Sequence, residues 1–359
     1  MMSADTVGGV WTYALELARG LGRHGVRVLL ATLGRAPDAG QRAEAAAIPN
    51  LQLRHGDFPL EWMIDSTDMQ TAAGQWLLKL ATDWRPDVVH LNHYGHGDLP
   101  WPAPALVVAH SCVCSWHEHV RGTPAGREWR AYRRRVTRGL RATPLVVAPT
   151  AAMLDDVARL YGAPRDGRVI HNGRRPRDFP PARKEEVILC AGRLWDEAKN
   201  VKLLAHVAPD LPWPVHIAGE DRAPQGGRAR LAGTILLGRL TPAAMATAFG
   251  SAAIYALPAR YEPFGLSILE AALAGCALVL GDIRSLRELW QDAAIFVPPD
   301  NPERLRATLG LLTREPMMRK AWARRAVERA HRYTSTRMTD HYLDVYAALA
   351  RKEIPACTS

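Results

Sequence analysis

Short apolar runs alternate with longer amphipathic segments along almost the whole chain, and this alternation limits the possible folds more than any other feature. The segments between the runs, such as residues 12–24, repeat apolar residues with the 3.6-residue period of a helix. The runs themselves are rich in Val, Ile, Leu and Ala, as buried strands are, and lie at residues 26–30, 88–91, 105–109, 145–148 and 169–170. Alternating strands and helices predict a parallel sheet covered by helices on both faces.

A segment dominated by Arg, Pro and charged residues interrupts this pattern at residues 173–186. After it the strand-like runs resume at residues 187–190, 215–218, 235–237, 253–257, 277–280 and 294–297, and three helices close the chain. We therefore predict an α/β protein with two Rossmann-like parallel-sheet domains, residues 1–173 and 187–333, joined by a linker at 174–186. Ligands should bind at the carboxyl ends of the strands, in a central cleft that both domains face.

Composition agrees with a globular protein of two domains: 359 residues, of which 48% are hydrophobic and 23% charged, which excludes fibrous and disordered classes. The net charge of +10 is compatible with nucleic acids, anionic lipids or phosphorylated small molecules as partners. Five scattered cysteines lack the spacing of a zinc or redox motif, and no apolar run is long enough to cross a bilayer. We expect a cytoplasmic protein that could touch the inner membrane face.

Two glutamates eight residues apart, Glu262 and Glu270, follow the predicted strand at 253–257. If a helix starts near Gly265, between them, its free N–H groups face the cleft and suit a phosphate, and Glu270 lies a little over one turn inside the helix. The alternative is that Glu262 is a solvated loop acid and Glu270 a surface helix residue.

Two cations, Arg193 and Lys199, flank the loop that follows the first strand of the second domain. A guanidinium and an ammonium that converge there suit a diphosphate. The alternative is that each pairs with the neighbouring Asp196 and Glu197.

The first domain offers weaker signals. Gly8 and Gly9 precede the first helix and leave little side chain between the backbone and a ligand. His110 follows the run at 105–109 and so projects from the carboxyl end of a strand, where a binding role competes with a purely structural one.

These residues, in this order, resemble the motifs of the retaining glycosyltransferases of family four, which have the GT-B fold. The matching segments are Gly8-Gly9, His171-Asn172-Gly173, Gly192-Arg193-Leu194 with Lys199-Asn200, and the Glu-Pro-Phe-Gly core with Glu270. The resemblance implies transfer of a sugar from a nucleotide-diphosphate sugar to an acceptor hydroxyl with retained configuration, in polysaccharide or glycoconjugate biosynthesis. It implies no metal and no other cofactor.

The resemblance also implies residue roles. Arg193 and Lys199 would neutralise the diphosphate in place of a metal, while Glu262 would contact the hydroxyls of the donor sugar. Glu270 would bind the ribose hydroxyls, and His110 would hydrogen-bond the sugar from the first domain, which carries the acceptor site. Further donor contacts are implied at Gly9, Glu220, Leu240, Phe264, Gly265 and Leu266. The family likeness further implies that the C-terminal helix, residues 334–351, crosses back onto the first domain.

One departure from the family concerns the first strand, because only five residues, 1–5, precede the turn that leads to Gly8. Family members begin with a full apolar strand, so we expect the first strand here to be shortened.

A basic segment, residues 121–141, holds eight arginines, from Arg121 at its start to Arg141 at its end, against the single acid Glu128. Apolar residues recur in it at near-helical spacing. It could lie on an anionic membrane that carries a lipid-linked acceptor. The alternative is a solvated helix whose apolar face packs inward, and no recognition motif supports nucleic acid as a partner.

Two other functions fit the same motifs. One is a sugar-nucleotide epimerase or sugar phosphorylase with the GT-B fold. The other is a nucleotide-sugar-binding partner that has no catalytic activity.

Overall fold

The computed structural model describes residues 1–63, 67–221 and 231–351. They form two units, one of residues 1–173 together with residues 335–351, and the other of Arg174–Thr334. Each unit is built on one sheet in which all strands are parallel. The predicted fold class, α/β with two Rossmann-like sheets, is confirmed.

The first unit has a seven-stranded sheet in the order β3-β2-β1-β4-β5-β6-β7. Its strands are β1 (Met2–Asp5), β2 (Val28–Leu33), β3 (Leu51–His55), β4 (Val89–Leu91), β5 (Ala105–Val108), β6 (Leu145–Ala148) and β7 (Gly167–Val169). Its helices, in chain order, are α1 (Gly9–Gly22), α2 (Ala39–Ala46), α3 (Thr67–Trp84), α4 (Val113–Trp116), α5 (Arg130–Ala142) and α6 (Ala151–Tyr161).

The short first strand takes a central place in this sheet. β1 pairs with β2 on one side, where Met2 lies opposite Leu30, and with β4 on the other, where Met2 lies opposite His90. The sequence pattern did not predict β3, because this edge strand is only partly buried and includes the polar Gln52 and Arg54.

The second unit has a six-stranded sheet in the order β10-β9-β8-β11-β12-β13. Its strands are β8 (Glu185–Ala191), β9 (Val215–Ala218), β10 (Ile235–Gly238), β11 (Ala252–Leu257), β12 (Ala277–Gly281) and β13 (Ile295–Val297). Its helices are α7 (Val201–Val207), α8 (Pro242–Ser251), α9 (Leu266–Leu273), α10 (Arg284–Trp290), α11 (Pro302–Arg314) and α12 (Pro316–Ala330).

The last helix, α13 (Ser335–Arg351), belongs to the first unit and packs against α1. Its buried residues Met338, Tyr342, Val345 and Leu349 join the same apolar core as the buried face of α1. The chain therefore passes from one unit to the other at two points, after Gly173 and after Thr334.

The segment predicted as a linker, residues 174–186, is part of the second unit. β8 already begins at Glu185, and the Lys184 ammonium donates hydrogen bonds to the carbonyl oxygens of Gly250 (2.8 Å) and Ala274 (2.6 Å). The sequence predicts a linker here because contacts between a polar side chain and distant backbone carbonyls leave no periodic pattern in the sequence.

Four of the five cysteines, Cys112, Cys114, Cys190 and Cys276, are buried and carry free thiols, whereas Cys357 lies outside the described residues. Among the described helices, none is long and apolar enough to span a membrane.

Candidate active site

The predicted site residues of the second unit lie at one edge of its sheet. The strands β10, β9, β8 and β11 are neighbours and parallel, so the loops after their carboxyl ends share that edge. The strand order reverses between β8 and β11, and such a switch point is where open α/β sheets bind ligands. Arg193 and Lys199 follow β8, and Glu262 and Glu270 follow β11.

Lys199 and Glu262 form an ion pair with an Nζ–Oε2 distance of 2.5 Å. Both side chains are largely buried, at 14% and 11% exposure, so this pair is shielded from solvent. Arg193 pairs with Asp196 at 2.6 Å, as the alternative interpretation predicted for that arginine. For Lys199 the alternative is wrong, because its partner is the distant Glu262 and not the adjacent Glu197.

Hydrogen bonds hold the loop after β8 against the end of β11. Asn200 has a left-handed conformation, with φ 53°, and its side-chain nitrogen Nδ2 donates to the Pro258 carbonyl at 2.9 Å. The Arg260 N–H donates to the carbonyl of Ala198 at 2.8 Å. These contacts place Lys199 opposite Glu262, which explains how residues 63 positions apart meet.

Glu262 is a buried loop residue with 8% exposure, so its interpretation as a solvated loop acid is wrong. The Ser285 hydroxyl donates to its backbone carbonyl at 2.6 Å. Its second carboxylate oxygen, Oε1, accepts from the N–H of the buried Phe264 at 3.5 Å. The loop is therefore fixed through both its backbone and its side chain.

Gly265 directly precedes α9, which begins at Leu266, where the sequence predicts a helix start. Its φ of 86° is in the left-handed region, and a Cβ atom there would lie 2.5 Å from Cδ1 of Ile268. Only glycine suits this conformation and this space. The turn it makes separates the Glu262 loop from the helix that carries Glu270.

Glu270 is the only charged residue of α9, and its Oε1 forms an ion pair with Nε of Arg174 at 2.9 Å. Both side chains are 12% exposed, so the interpretation of Glu270 as a surface helix residue is wrong. Sequence reasoning missed Arg174, because it lies in the segment taken for a linker.

The remaining predicted donor contacts lie at the same edge. The Glu220 carbonyl, after β9, accepts from the Leu194 N–H at 2.8 Å, beside Arg193. Leu240, after β10, is partly buried and packs against the core of the second unit. Leu266 is half-buried at the first position of α9.

In the first unit, His110 follows β5, and its Nε2 lies 2.7 Å from Oδ1 of Asn92, which follows β4. The Asn92 amide nitrogen donates to the Ser3 carbonyl at 2.6 Å, so its oxygen faces the histidine and accepts from Nε2–H. Burial lowers the pKa of His110 to about 3. The imidazole is therefore neutral, with Nδ1 as its acceptor nitrogen.

Asn92 was also missed from the sequence, although one signal could have found it. It stands directly after a strand-like run, as His110 does, and β4 and β5 are neighbours. Within the described ranges, no cluster of three or more His, Cys, Asp or Glu side chains has the arrangement of a metal site.

Gly8 and Gly9 lie where the turn after β1 meets the start of α1. Gly8 caps the helix with φ 79° and ψ −149°, and Gly9 is the exposed first residue of α1. The conformation that requires glycine is therefore at Gly8, while Gly9 leaves the start of the helix without a side chain.

The basic segment contains α5, which begins at Arg130, after two short helical turns. Its apolar residues Tyr132, Val136 and Leu140 are buried in the core of the first unit, as the solvated-helix alternative predicts. Its outer face carries exposed arginines, namely Arg130, Arg133, Arg134, Arg138 and Arg141.

Comparisons with known proteins agree with this architecture. Residues 7–177 match the family model described as Glycosyltransferase Family 4, and residues 185–314 match the one described as Glycosyl transferases group 1. A glycogen synthase of Mycobacterium tuberculosis is 29% identical over 333 residues, which cover 77% of this chain and 78% of that protein.

A phosphatidyl-myo-inositol mannosyltransferase of Mycolicibacterium smegmatis is 30% identical over 204 residues, 55% of this chain and 50% of the mannosyltransferase. Among solved structures, Anabaena HepE in complex with UDP-glucose superposes with a TM-score of 0.75 at 15% identity. That superposition covers 97% of this chain and all of the HepE chain, 100%.

Proposed function

Because the chain belongs to the GT-B glycosyltransferases that these two family models describe, we propose that it transfers a sugar from a nucleotide-diphosphate sugar to an acceptor hydroxyl. We further propose that the anomeric configuration is retained and that no metal takes part. The observation that carries this proposal is the shielded Lys199–Glu262 pair at the switch point, with Arg193 on the same loop.

Donor binding would exchange the partners of these charges. In the structure Lys199 pairs with Glu262, and Arg193 pairs with Asp196. A diphosphate attracts both cations, the guanidinium as a two-pronged donor and the ammonium as a point charge. Glu262 would then be released to accept hydrogen bonds from the hydroxyls of the donor sugar.

The same cations would support the chemical step. When the bond between the anomeric carbon and the phosphate oxygen breaks, its electron pair stays with the leaving diphosphate. Fixed positive groups in a shielded site stabilise that charge as it develops. Lys199 and Arg193 therefore take the place that a metal ion has in other transferases.

The rest of the donor would lie along the same edge. The N–H groups of Phe264, Gly265 and Leu266, at the start of α9, would approach the sugar and phosphate, where the helix dipole favours negative charge. Glu270 would accept the ribose hydroxyls. Glu220 and Leu240 would line the nucleotide.

The first unit would supply His110, Gly9 and the acceptor site. Neutral His110 would accept a hydrogen bond from a donor-sugar hydroxyl at Nδ1. One sequence relative is named for a glycan, glycogen, and the other for a lipid, phosphatidyl-myo-inositol, so acceptors of both classes should be tested.

The exposed arginines of α5 would bring the enzyme to an anionic cytoplasmic membrane surface that carries a lipid acceptor. Because the apolar face of α5 is buried, the contact would be electrostatic, without insertion. Each arginine near such a surface contributes about 1 kcal/mol. We expect Arg130→Gln with Arg134→Gln to reduce co-flotation with phosphatidylserine vesicles, and Arg306→Gln, at an exposed ion pair of the second unit, to leave it unchanged.

A thermal-shift panel of UDP-, GDP- and ADP-sugars tests the donor proposal. A ligand at about 100 times its dissociation constant stabilises the folded state by ~2.7 kcal/mol. We expect one nucleotide class to raise the melting temperature of the wild type, and less so that of Lys199→Met. If none of the sugars shifts it, the donor proposal is wrong.

A further inference from the structure

Arg174 occupies a distinctive place in the second unit. It is the first residue after the chain leaves the first unit, and its N–H donates to the Tyr333 carbonyl at 3.2 Å, beside the point where the chain returns. Its guanidinium lies over the ring of Phe179, 5.1 Å from the centroid. The backbone and the side chain of Arg174 are thus both held by contacts within the second unit.

The same guanidinium contacts Glu270, the residue to which the proposed function gives the ribose hydroxyls. The Nε–Oε1 distance is 2.9 Å, and both side chains are 12% exposed. A carboxylate this far from solvent needs a charged partner to compensate for lost hydration. Arg174 supplies that partner from outside the helix, since α9 has no other charged residue.

We propose that Arg174 is a positioning residue that selects ribonucleotides, by holding the Glu270 carboxylate ready for the ribose 2′- and 3′-hydroxyls. This inference rests on the proposed function. A carboxylate oxygen has more than one acceptor site, so Glu270 can keep Arg174 as a partner and still accept from a diol. A site that hydrogen-bonds a substrate hydroxyl discriminates strongly against an analogue that lacks it, and holding the acceptor group in place before binding lowers the cost of ordering it.

The position of Arg174 also explains how Glu270 is held in a fixed position relative to the loop of Glu262. Tyr333, which accepts from the Arg174 N–H, packs its ring edge-on against Phe264 at 5.9 Å. Phe264 belongs to the loop of Glu262. The ribose-binding and sugar-binding glutamates are therefore braced through the same packed residues.

Calorimetric titration with a nucleoside diphosphate and with its 2′,3′-dideoxy analogue tests this role. Both ligands carry the nucleobase of the nucleotide sugar that stabilises the wild type most in the thermal-shift panel. We expect Arg174→Gln to weaken binding of the ribonucleotide about tenfold, or ~1.4 kcal/mol, because the variant removes the ion-pair partner that holds the Glu270 carboxylate in place. Binding of the dideoxy analogue should change less than about twofold, because Arg174 acts only through Glu270.

The matched variants separate positioning from other roles. Arg174→Gln in a Glu270→Gln background should cause no further loss, and Arg174→Lys should retain part of the ribonucleotide preference. Arg306→Gln, which removes an exposed ion pair with Asp210, should bind both ligands like the wild type.

If Arg174→Gln loses affinity equally for the ribonucleotide and for its dideoxy analogue, the inference is wrong. Equal losses would indicate that Arg174 binds the phosphates directly or has a general structural role. Unchanged affinity for both would overturn it as well. If Arg174→Gln does not fold, the ribonucleotide preference of Arg174→Lys decides, and a preference equal to that of the wild type counts against a specific role of the guanidinium. A wild type that binds no nucleoside diphosphate refutes the proposed function itself.

Discussion

Acidification should destabilise the first unit, because His110 and three further histidines are buried in it without charge. His90, His93 and His96 are each no more than 3% exposed. Burial lowers the pKa of His90 and His93 to about 3 and that of His96 to about 4. In the unfolded chain a histidine has a pKa of about 6.5.

The direction in which the free energy of unfolding changes with pH follows from proton binding. Between pH 6.5 and about 4 the unfolded chain binds protons that the folded chain excludes, so the free energy of unfolding falls as the pH falls. At pH 5.5 each of these histidines costs roughly 1.4 kcal/mol relative to neutral pH. His90, His93 and His96 together should cost ~4 kcal/mol, and His110, whose pKa is lowered to about 3, adds roughly 1.4 kcal/mol of the same sign, which is in total a large part of the stability of an ordinary domain.

Other buried groups titrate in the same unit, so a difference measurement is needed. Burial raises the pKa of Glu61, whose carboxylate accepts from the N–H groups of Tyr94 and Gly95 and faces Arg135, and this works in the opposite direction. Comparing the wild type with His96→Gln at each pH removes that contribution.

Urea denaturation at pH 7.5 and 5.5 supplies the free energies. The loss in free energy of unfolding caused by His96→Gln should be smaller at pH 5.5 than at pH 7.5 by about 1.4 kcal/mol. The variant has no imidazole at this position that must stay unprotonated in the folded state. His24→Gln, at an exposed position, controls for loss of an imidazole. A cost of His96→Gln that is the same at both pH values would refute the reasoning.

Three further predictions concern single residues. Asn92→Ala removes the acceptor of His110 Nε2–H and should lower donor turnover at least about tenfold, measured as nucleoside-diphosphate release, while costing about 1–3 kcal/mol of stability. Lys199→Met leaves the Glu262 carboxylate without its ion-pair partner and should cost about 3 kcal/mol in urea denaturation, and Lys199→Met with Glu262→Gln should recover part of that loss. Gly265→Ala forces a side chain into a left-handed, crowded position and should lower the melting temperature by several degrees, for a cost of about 1–3 kcal/mol. A stable, fully active Gly265→Ala would contradict the account of that turn.

The sequence was sufficient to predict the two parallel sheets, because buried strands and amphipathic helices leave periodic patterns. It also located the helix start after Gly265 and the cations after β8, since strand-to-helix turns and charged residues are visible in sequence. These are local features, and the covalent chain encodes them within a few residues.

Partners distant in sequence were harder to predict. Lys199 has nearby acids, yet it pairs with Glu262, and Arg174 looks like a linker residue although it pairs with Glu270. Such pairs depend on which strands are neighbours in the sheet, and sequence periodicity does not give that order. Asn92 was not predicted for the same reason, because its contact with His110 depends on β4 lying beside β5.

Turnover of a nucleotide sugar at the Lys199–Glu262 site is the activity proposed for this chain. Its most direct test is nucleoside-diphosphate release from the sugar that the thermal-shift panel selects, in EDTA and without inorganic phosphate. We expect release by the wild type and by Glu303→Gln, an exposed control, and release at least about 100-fold slower by Glu262→Gln. Release by Glu262→Gln at the wild-type rate, or only after phosphate is added, would contradict the claim.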